Sequence, residues 1–536
     1  MVEASSSIRA RETRPSQEAR AVGPFIPLAW SVVLVGLVAA GAAALAWWAT
    51  GPWGSGLSPD AIAYSAIAEG IRDGSELGYW LEPSVSSWPP LFPLVLATGS
   101  MLLDISVVDT ARILNAVLHA ATVVVVALLA CRLMQSTWLR ALALATAALA
   151  QPLVFVTVKV WSEPLFNLLI LIAALVLSGV PGRRPTSRLL AASVLVVAAF
   201  STRYAGLVFV PAGALVLALW PRSSPRAGRY RRAAWFGVPA LVGGLMLVGW
   251  NRWRTGDAFG PRWRPDEPFW SHAADGLGAI GQWFLPSDSP RPVALLFGML
   301  LISIAVCAVV WTWKPTTTPN NNHNDSSDDE PIGVAPILAV FMGAYFAYMV
   351  WARTTSGFDP LNSRLMLPVF LPGVLLMLSV VDRWSATKPE GASRLLVLAL
   401  PLLVLLPTMV DGLDEARTSH DIGNEYTNAA VEKFIDSRIL SEIPDDCSLL
   451  TNDPWLLWLA GREAQLTPEQ DREVAIPLSM ELTELAPLVS AGHVCLVWLD
   501  TGSTVFFEPA QLAEVVVLDR VAHDEFTTIY RLAPVS

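Results

Sequence analysis

Long apolar runs broken by short polar stretches set the pattern of this chain. A run near twenty residues is the length that crosses a bilayer as a helix. The pattern predicts eleven spans, at about 25–49, 108–131, 138–158, 164–180, 188–202, 204–220, 233–250, 293–313, 332–352, 365–381 and 395–410. The run "PPLFPLVLATGSMLL" (89–103) is shorter and carries three prolines, so it predicts an interfacial or re-entrant helix. The run 188–220 is apolar almost throughout but holds Arg203. Read as two spans, it leaves the five arginines of "PRSSPRAGRYRR" (221–232) on the cytoplasmic side, where the positive-inside rule wants them.

The same rule orients the rest. Residues 1–24 carry Arg9, Arg11, Arg14 and Arg20 and predict a cytosolic disordered N-terminus. Arg132, Arg140, Arg183, Arg184, Lys314, Arg383 and Lys388 fall on that same side. Residues 25–410 form the membrane domain, interrupted by the polar, low-complexity 314–331, expected as a disordered cytosolic linker. The remainder, 411–536, then lies outside the cell membrane. It alternates an amphipathic helical stretch (428–440), strand-like runs (447–452, 493–500, 526–533) and a short helix (454–461), so a small α/β domain is expected. It has no Gly-rich phosphate loop. The expected architecture is an all-α multi-pass membrane protein with a small extracytoplasmic α/β domain.

Composition agrees. The chain is 53% apolar and only 15% charged, against about 25% charged in a soluble domain. Its net charge of -10 argues against nucleic acid as a partner, and the acids concentrate in 314–331 and 411–536. Cys131 and Cys307 lie in apolar runs. Cys447 and Cys495 lie in the C-terminal region, where an oxidising compartment would let them pair; spacing alone leaves the pairing open.

Polar residues that reach the outer face carry the candidate chemistry. Asp60 opens the first outer loop in "SPDAIAY"; Glu163 lies in "KVWSEPLF", Arg203 in "STRYAG", Asn251, Arg252 and Arg254 in "NRWR", and Asp359 and Arg364 in "FDPLNSR". An ionisable group at membrane depth costs about 2.5–3.5 kcal/mol on insertion scales, so it usually faces a polar cavity. A guanidinium matches a phosphate in bidentate fashion. A carboxylate can take a proton from a hydroxyl, and a second can orient the acceptor or hold a divalent metal. Trp80, Trp88, Trp253, Trp263, Trp270 and Trp283 offer faces for sugar rings or acyl chains, though aromatic belts are ordinary at interfaces. Bland roles stand beside these: Asp60 as a helix N-cap, Glu163 at a helix dipole, Arg203 and Arg364 as headgroup anchors, Tyr64 as packing. His119 reads as a core residue and His272 as a lone loop histidine. No Cys/His set supports zinc.

Taken in order, "SPDAIAY", "WPPLFPLVLA" (88–97), "VKVWSEPLF", "STRYAGL" and "FDPLNSRLMLPV" (358–369) resemble the GT-C glycosyltransferases, especially bacterial relatives of protein O-mannosyltransferases and the lipid A aminoarabinose transferase. The resemblance covers about residues 25–410. It implies a polyprenyl-phosphate-linked sugar as donor, a lipid, glycan or protein acceptor, and inverting transfer at the outer leaflet. It implies Asp60 as base, Glu163 as the second acid, Arg203 and Arg364 for the donor phosphate, and Tyr64, Tyr204, Asn251 and Trp88 as substrate contacts. The first loop opens on Asp60 with no paired acidic residue next to it, which weakens a metal-dependent mechanism. A transporter or lipid flippase is the competing reading. It would place ionisable groups at the bilayer midplane and show internal repeats.

Overall fold

The computed structural model describes residues 28–179, 185–220, 225–260, 265, 267–286, 288–313, 332–389, 391–470, 480–500 and 505–535. The expected N-terminal tail and the linker 314–331 lie outside these residues, as does Trp263. The membrane portion runs α1 (Leu28–Ala49), α2 (Pro59–Arg72), α3 (Leu91–Leu103), α4 (Val107–Leu133), α5 (Thr137–Leu149), α6 (Gln151–Thr157), α7 (Glu163–Leu177), α8 (Pro185–Thr202), α9 (Phe209–Leu219), α10 (Arg226–Thr255), α11 (Phe269–Gln282), α12 (Arg291–Trp313), α13 (Val334–Thr355), α14 (Ser363–Met366), α15 (Phe370–Ala386) and α16 (Ala392–Asp421).

Eight of the expected spans are helices long and apolar enough to cross a membrane: α1, α4, α5 with α6, α8, α10, α13, α14 with α15, and α16. The other three, at 164–180, 204–220 and 293–313, coincide with shorter apolar helices. Lipid is the solvent these faces need. Val32, Leu34 and Leu37 on α1, Leu245 and Met246 on α10, and Leu395, Leu396 and Leu403 on α16 are all exposed, a surface that water would not tolerate. The protein is a multi-pass membrane protein. Pro152, in the first turn of α6, breaks the span expected at 138–158 into two helices. The span expected to end at 410 continues as helix to Asp421.

Residues 188–220 form two helices. α8 ends at Thr202, Arg203 is extended (φ -150°, ψ 130°), and a 3-10 turn over Tyr204–Val208 leads into α9. That break lifts Arg203 out of the apolar rods. The run 89–103 yields α3, which buries Phe92, Leu96 and Ala97 and exposes Leu94, Met101 and Leu102. A helix of 13 residues with one buried stripe suits an interfacial position. At the far end of the bundle the carboxylate of Asp382 accepts from the backbone N–H of Gln135 (2.7 Å) and Ser136 (3.0 Å), satisfying the turn between α4 and α5.

The C-terminal part is a five-stranded sheet of order β2-β1-β3-β5-β4, made of β1 (Ser448–Thr451), β2 (Gln465–Leu466), β3 (Val494–Leu499), β4 (Val516–His523) and β5 (Thr527–Pro534). The first three strands are parallel and the last two antiparallel. The helices α17 (Ala429–Ile435), α18 (Pro454–Leu459), α19 (Leu482–Ala491) and α20 (Pro509–Leu512) accompany it. The three strand-like runs are strands. The helix expected over 428–440 stops at Ile435 and resumes as a 3-10 turn over Arg438–Glu442. Cys447 and Cys495 are disulfide-bonded, with Cα atoms 5.5 Å apart.

The sheet domain is seated on the membrane portion at the end that carries Asp60. Segment 56–57 bridges the turn at Lys159 on one side and Glu425 on the other. Gly56 is required there: a Cβ would come within 2.8 Å of Asn424 Cβ and 3.0 Å of Lys159 Cγ. Trp80 of the first loop stacks on Trp458 of α18, and its indole N–H donates to Ala464 O at 3.0 Å.

Candidate active site

Ser58, not Asp60, caps α2. Its hydroxyl accepts from Ala61 N at 3.3 Å and Pro59 takes the first helical position. The N-cap reading of Asp60 is thereby corrected: the carboxylate stands in the first turn with no capping task and projects to a cavity. That cavity measures about 550 Å³ and is walled by Asp60, Trp161, Asp359, Arg364, Glu425 and neighbouring residues of the same loops.

Arg364 organises one wall. Its Nη2 donates to Asp60 Oδ2 at 2.6 Å, its Nε donates to Glu163 Oε1 at 2.5 Å, and its guanidinium lies 3.9 Å above the ring of Trp161. α14 begins at Ser363 because Asn362 caps it, accepting from Leu365 N at 3.0 Å, and that cap sets the direction of Arg364. Glu163 opens α7 and is 1% exposed. The same Oε1 also accepts from Arg203 Nη1 at 2.6 Å. One buried carboxylate therefore ties together two guanidiniums that are distant in the sequence. Its Oε2 has no hydrogen-bond partner among the described residues. Ser162 joins the group, 3.1 Å from the hydroxyl of Tyr64 and accepting from Arg203 at 3.3 Å.

Asp60, Glu163, Arg203, Arg364 and Tyr64 thus form one connected cluster, drawn from four separate stretches of sequence. Within it the roles divide. Asp60 and Arg364 wall the cavity, whereas Glu163 lies behind Arg364 and Tyr64 is 2% exposed. Burial pushes the Tyr64 phenol well above its ordinary value, so it stays protonated. Tyr204 and Asn251 bond to each other at 2.7 Å, and Tyr204 donates to Ser86 O at 2.7 Å. Trp88 packs edge-on to Tyr64, ring centroids 6.4 Å apart. These three brace the first loop and do not wall the cavity. Arg254 also serves that loop, donating to Leu77 O at 2.8 Å and to Val85 O. His119 is a buried core residue, its Nε2 3.0 Å from Ala147 O.

Two contributors, Glu425 and Lys159, escaped the motif reading, whereas Asp359 of "FDPLNSR" was among its candidates. Asp359 walls the cavity, and burial, with Asp60 nearby, raises its carboxyl above the ordinary range. Glu425 comes from the connection to the sheet domain. Lys159 is buried against Phe155 and Trp161, 4.1 and 4.6 Å from their ring centroids, and pairs with Glu425 at 2.8 Å. Asn115 of α4 holds that turn by donating to Thr157 O (3.1 Å) and Lys159 O (2.6 Å). Lysine scarcity was the available signal: Lys159 is one of four lysines among 36 basic residues, and it stands four positions before Glu163.

A bundle of short and long apolar helices, with a carboxylate–guanidinium cluster at one end under a small sheet domain, has relatives among solved structures. No family model matches the sequence, and no curated protein does. ArnT from Cupriavidus metallidurans in the apo state aligns over 94% of this chain and 98% of its own, at 14% identity and a TM-score of 0.58. The same protein bound to undecaprenyl phosphate aligns over the same shares, at 16% identity and 0.55. An Archaeoglobus fulgidus oligosaccharyltransferase tethered with an acceptor peptide aligns over 87% of this chain and 69% of its own, at 11% identity and 0.50. At such identities the likeness is one of fold. The chain has the fold of the GT-C membrane glycosyltransferases.

Proposed function

We propose that this protein is a glycosyltransferase that moves a sugar from a polyprenyl-phosphate carrier to an acceptor hydroxyl at the outer face of the membrane. The observation that carries the reading is the Asp60–Arg364 ion pair in the wall of a single cavity. One neighbour of the same fold binds undecaprenyl phosphate, and another is tethered with an acceptor peptide.

Asp60 Oδ1 or Oδ2 takes the proton of the acceptor hydroxyl. The acceptor oxygen bonds to the anomeric carbon while the bond from that carbon to the phosphate oxygen breaks, with inversion. The leaving lipid phosphate gains negative charge, which Arg364 in the cavity wall receives. Fixed cations in a water-poor site act strongly on developing charge. Glu163 is the positioning residue that holds Arg364 and Arg203. Asp359 and Asp60, facing one cavity, would be the pair to hold a divalent metal if the reaction uses one. The sheet domain contributes Glu425, so it shapes the acceptor side as well as covering it. The cell membrane is the site of action, with the N-terminus cytoplasmic and 411–536 extracytoplasmic; the Cys447–Cys495 disulfide suits that oxidising side.

A transporter would gather its ionisable groups at mid-span. Here they lie at helix ends: Asp60 in the first turn of α2, Glu163 at the start of α7, Arg203 just beyond α8. The test is to incubate purified protein in nanodiscs with a panel of polyprenyl-phosphate sugars. Release of the free lipid phosphate together with a glycosylated acceptor is expected for one donor. Sugar–lipid flipping without any cleavage, across the whole panel, would overturn the reading.

A further inference from the structure

A second cluster lies on α11, outside the cavity. This helix buries one stripe, His272, Gly276, Ile280 and Gly281, as it packs against α12, α13 and α14. His272 is 0% exposed, yet neither of its ring nitrogens makes a hydrogen bond among the described residues. Burying an unpaired polar group is costly, so such a side chain calls for a partner. Two carboxylates stand beside it. Ligand atoms of Glu267, His272 and Asp275 all lie within 4.8 Å of one another.

The spacing is compatible with a metal ion. His272 Nδ1 is 3.3 Å from Glu267 Oε2, longer than the usual N–H···O range of about 2.7–3.2 Å. Donors about 2.0–2.1 Å from a tetrahedral zinc ion are separated by roughly 3.3–3.4 Å. The third carboxylate is already braced: Arg291 Nη2 donates to Asp275 Oδ1 at 2.5 Å, the kind of outer partner that orients a metal-bound carboxylate. One imidazole with two carboxylates suits a borderline divalent ion, zinc foremost. No zinc-like spacing is visible along the chain because Glu267 precedes the helix, whereas His272 and Asp275 share it.

We propose that Glu267, His272 and Asp275 form a zinc-class binding site that staples the chain ahead of α11 to that helix. The site stands independently of glycosyl transfer. Its structural reach is toward the loop that carries Asp359 and Arg364: a Cβ at Gly276 would meet Phe346 at 3.0 Å and Leu361 at 3.4 Å. Fixing α11 therefore fixes the floor under that loop.

The experiment uses the full chain in nanodiscs, with any polyhistidine tag removed, stripped by chelator and titrated with zinc chloride alone. Bound zinc is counted after desalting, and thermal unfolding is followed with and without the ion. The wild type should retain one equivalent and unfold at a higher temperature when loaded. Glu267→Gln, at a half-exposed position that the fold does not need, should weaken binding at least tenfold. His272→Gln should abolish it, while His493→Gln in the sheet domain should leave it unchanged. No stoichiometric zinc in the wild type, or wild-type affinity in Glu267→Gln, would overturn the proposal.

Discussion

Glu163 is the residue on which the cluster turns. It pairs with Arg203 and Arg364 through one oxygen and is 1% exposed. Removing its charge takes the carboxylate from Arg203 and leaves Arg364 with Asp60 alone, the two guanidiniums still side by side. Breaking a buried pair from one side costs about 3–5 kcal/mol. Glu163→Gln should therefore unfold several degrees lower in detergent and lose transfer activity; an unchanged melting temperature would show that the arginines find other partners. Asp359 predicts a pH effect. Burial and the neighbouring Asp60 raise its folded pKa. A carboxyl raised on folding contributes fully below its unfolded pKa, about 3.9, and its contribution falls as pH rises through the folded value. Asp359→Asn mimics the protonated form. It should be more stable than wild type at pH above about 7 and lose that advantage near pH 4, read as the difference in melting temperature at the two pH values.

At the scale of elements, close helix packing sets the geometry. A Cβ at Gly412 of α16 would sit 1.8 Å from Leu149 O, beside the break between α5 and α6. Overpacking of this kind costs about 1–3 kcal/mol. Gly412→Leu should lower thermal stability by that amount, whereas Gly36→Leu on α1, with nothing within 4 Å, should not; equal melting shifts in both would contradict the packing. The elements also explain what could be read beforehand. Hydropathy alone locates the long spans, since a twenty-residue apolar run admits few alternatives. The stretched Arg203 follows from a lone charge in an apolar run, whereas the break at Pro152 was not visible because 138–158 scans as one apolar run. β4 was not legible, because as an edge strand it is mostly exposed and its burial does not alternate. β2 has two residues and leaves no pattern.

At the scale of the whole molecule, the charged motifs of distant loops converge at one end of the bundle, and that much was legible from their sidedness. What sidedness could not convey is depth. It put Asp60, Glu163 and Arg364 on one face without saying that Glu163 lies behind Arg364. It grouped Tyr204, Asn251 and Trp88 with them, although these brace the first loop. Lys159 and Glu425 were invisible for a related reason: their pairing joins the second outer turn to the start of the sheet domain, a contact between residues 266 positions apart. The chain from cavity to sheet domain continues through Tyr426, whose hydroxyl donates to Asp453 Oδ2 at 2.9 Å at the N-cap of α18. The account's central claim is that Asp60 and Arg364 face a reacting sugar–phosphate together. Its most direct measurement compares wild type with Asp60→Asn, equally expressed and inserted, for release of polyprenyl phosphate from the donor that the wild type uses. Loss of at least a thousandfold in rate with donor binding retained is the expected result, and wild-type turnover by Asp60→Asn would contradict it.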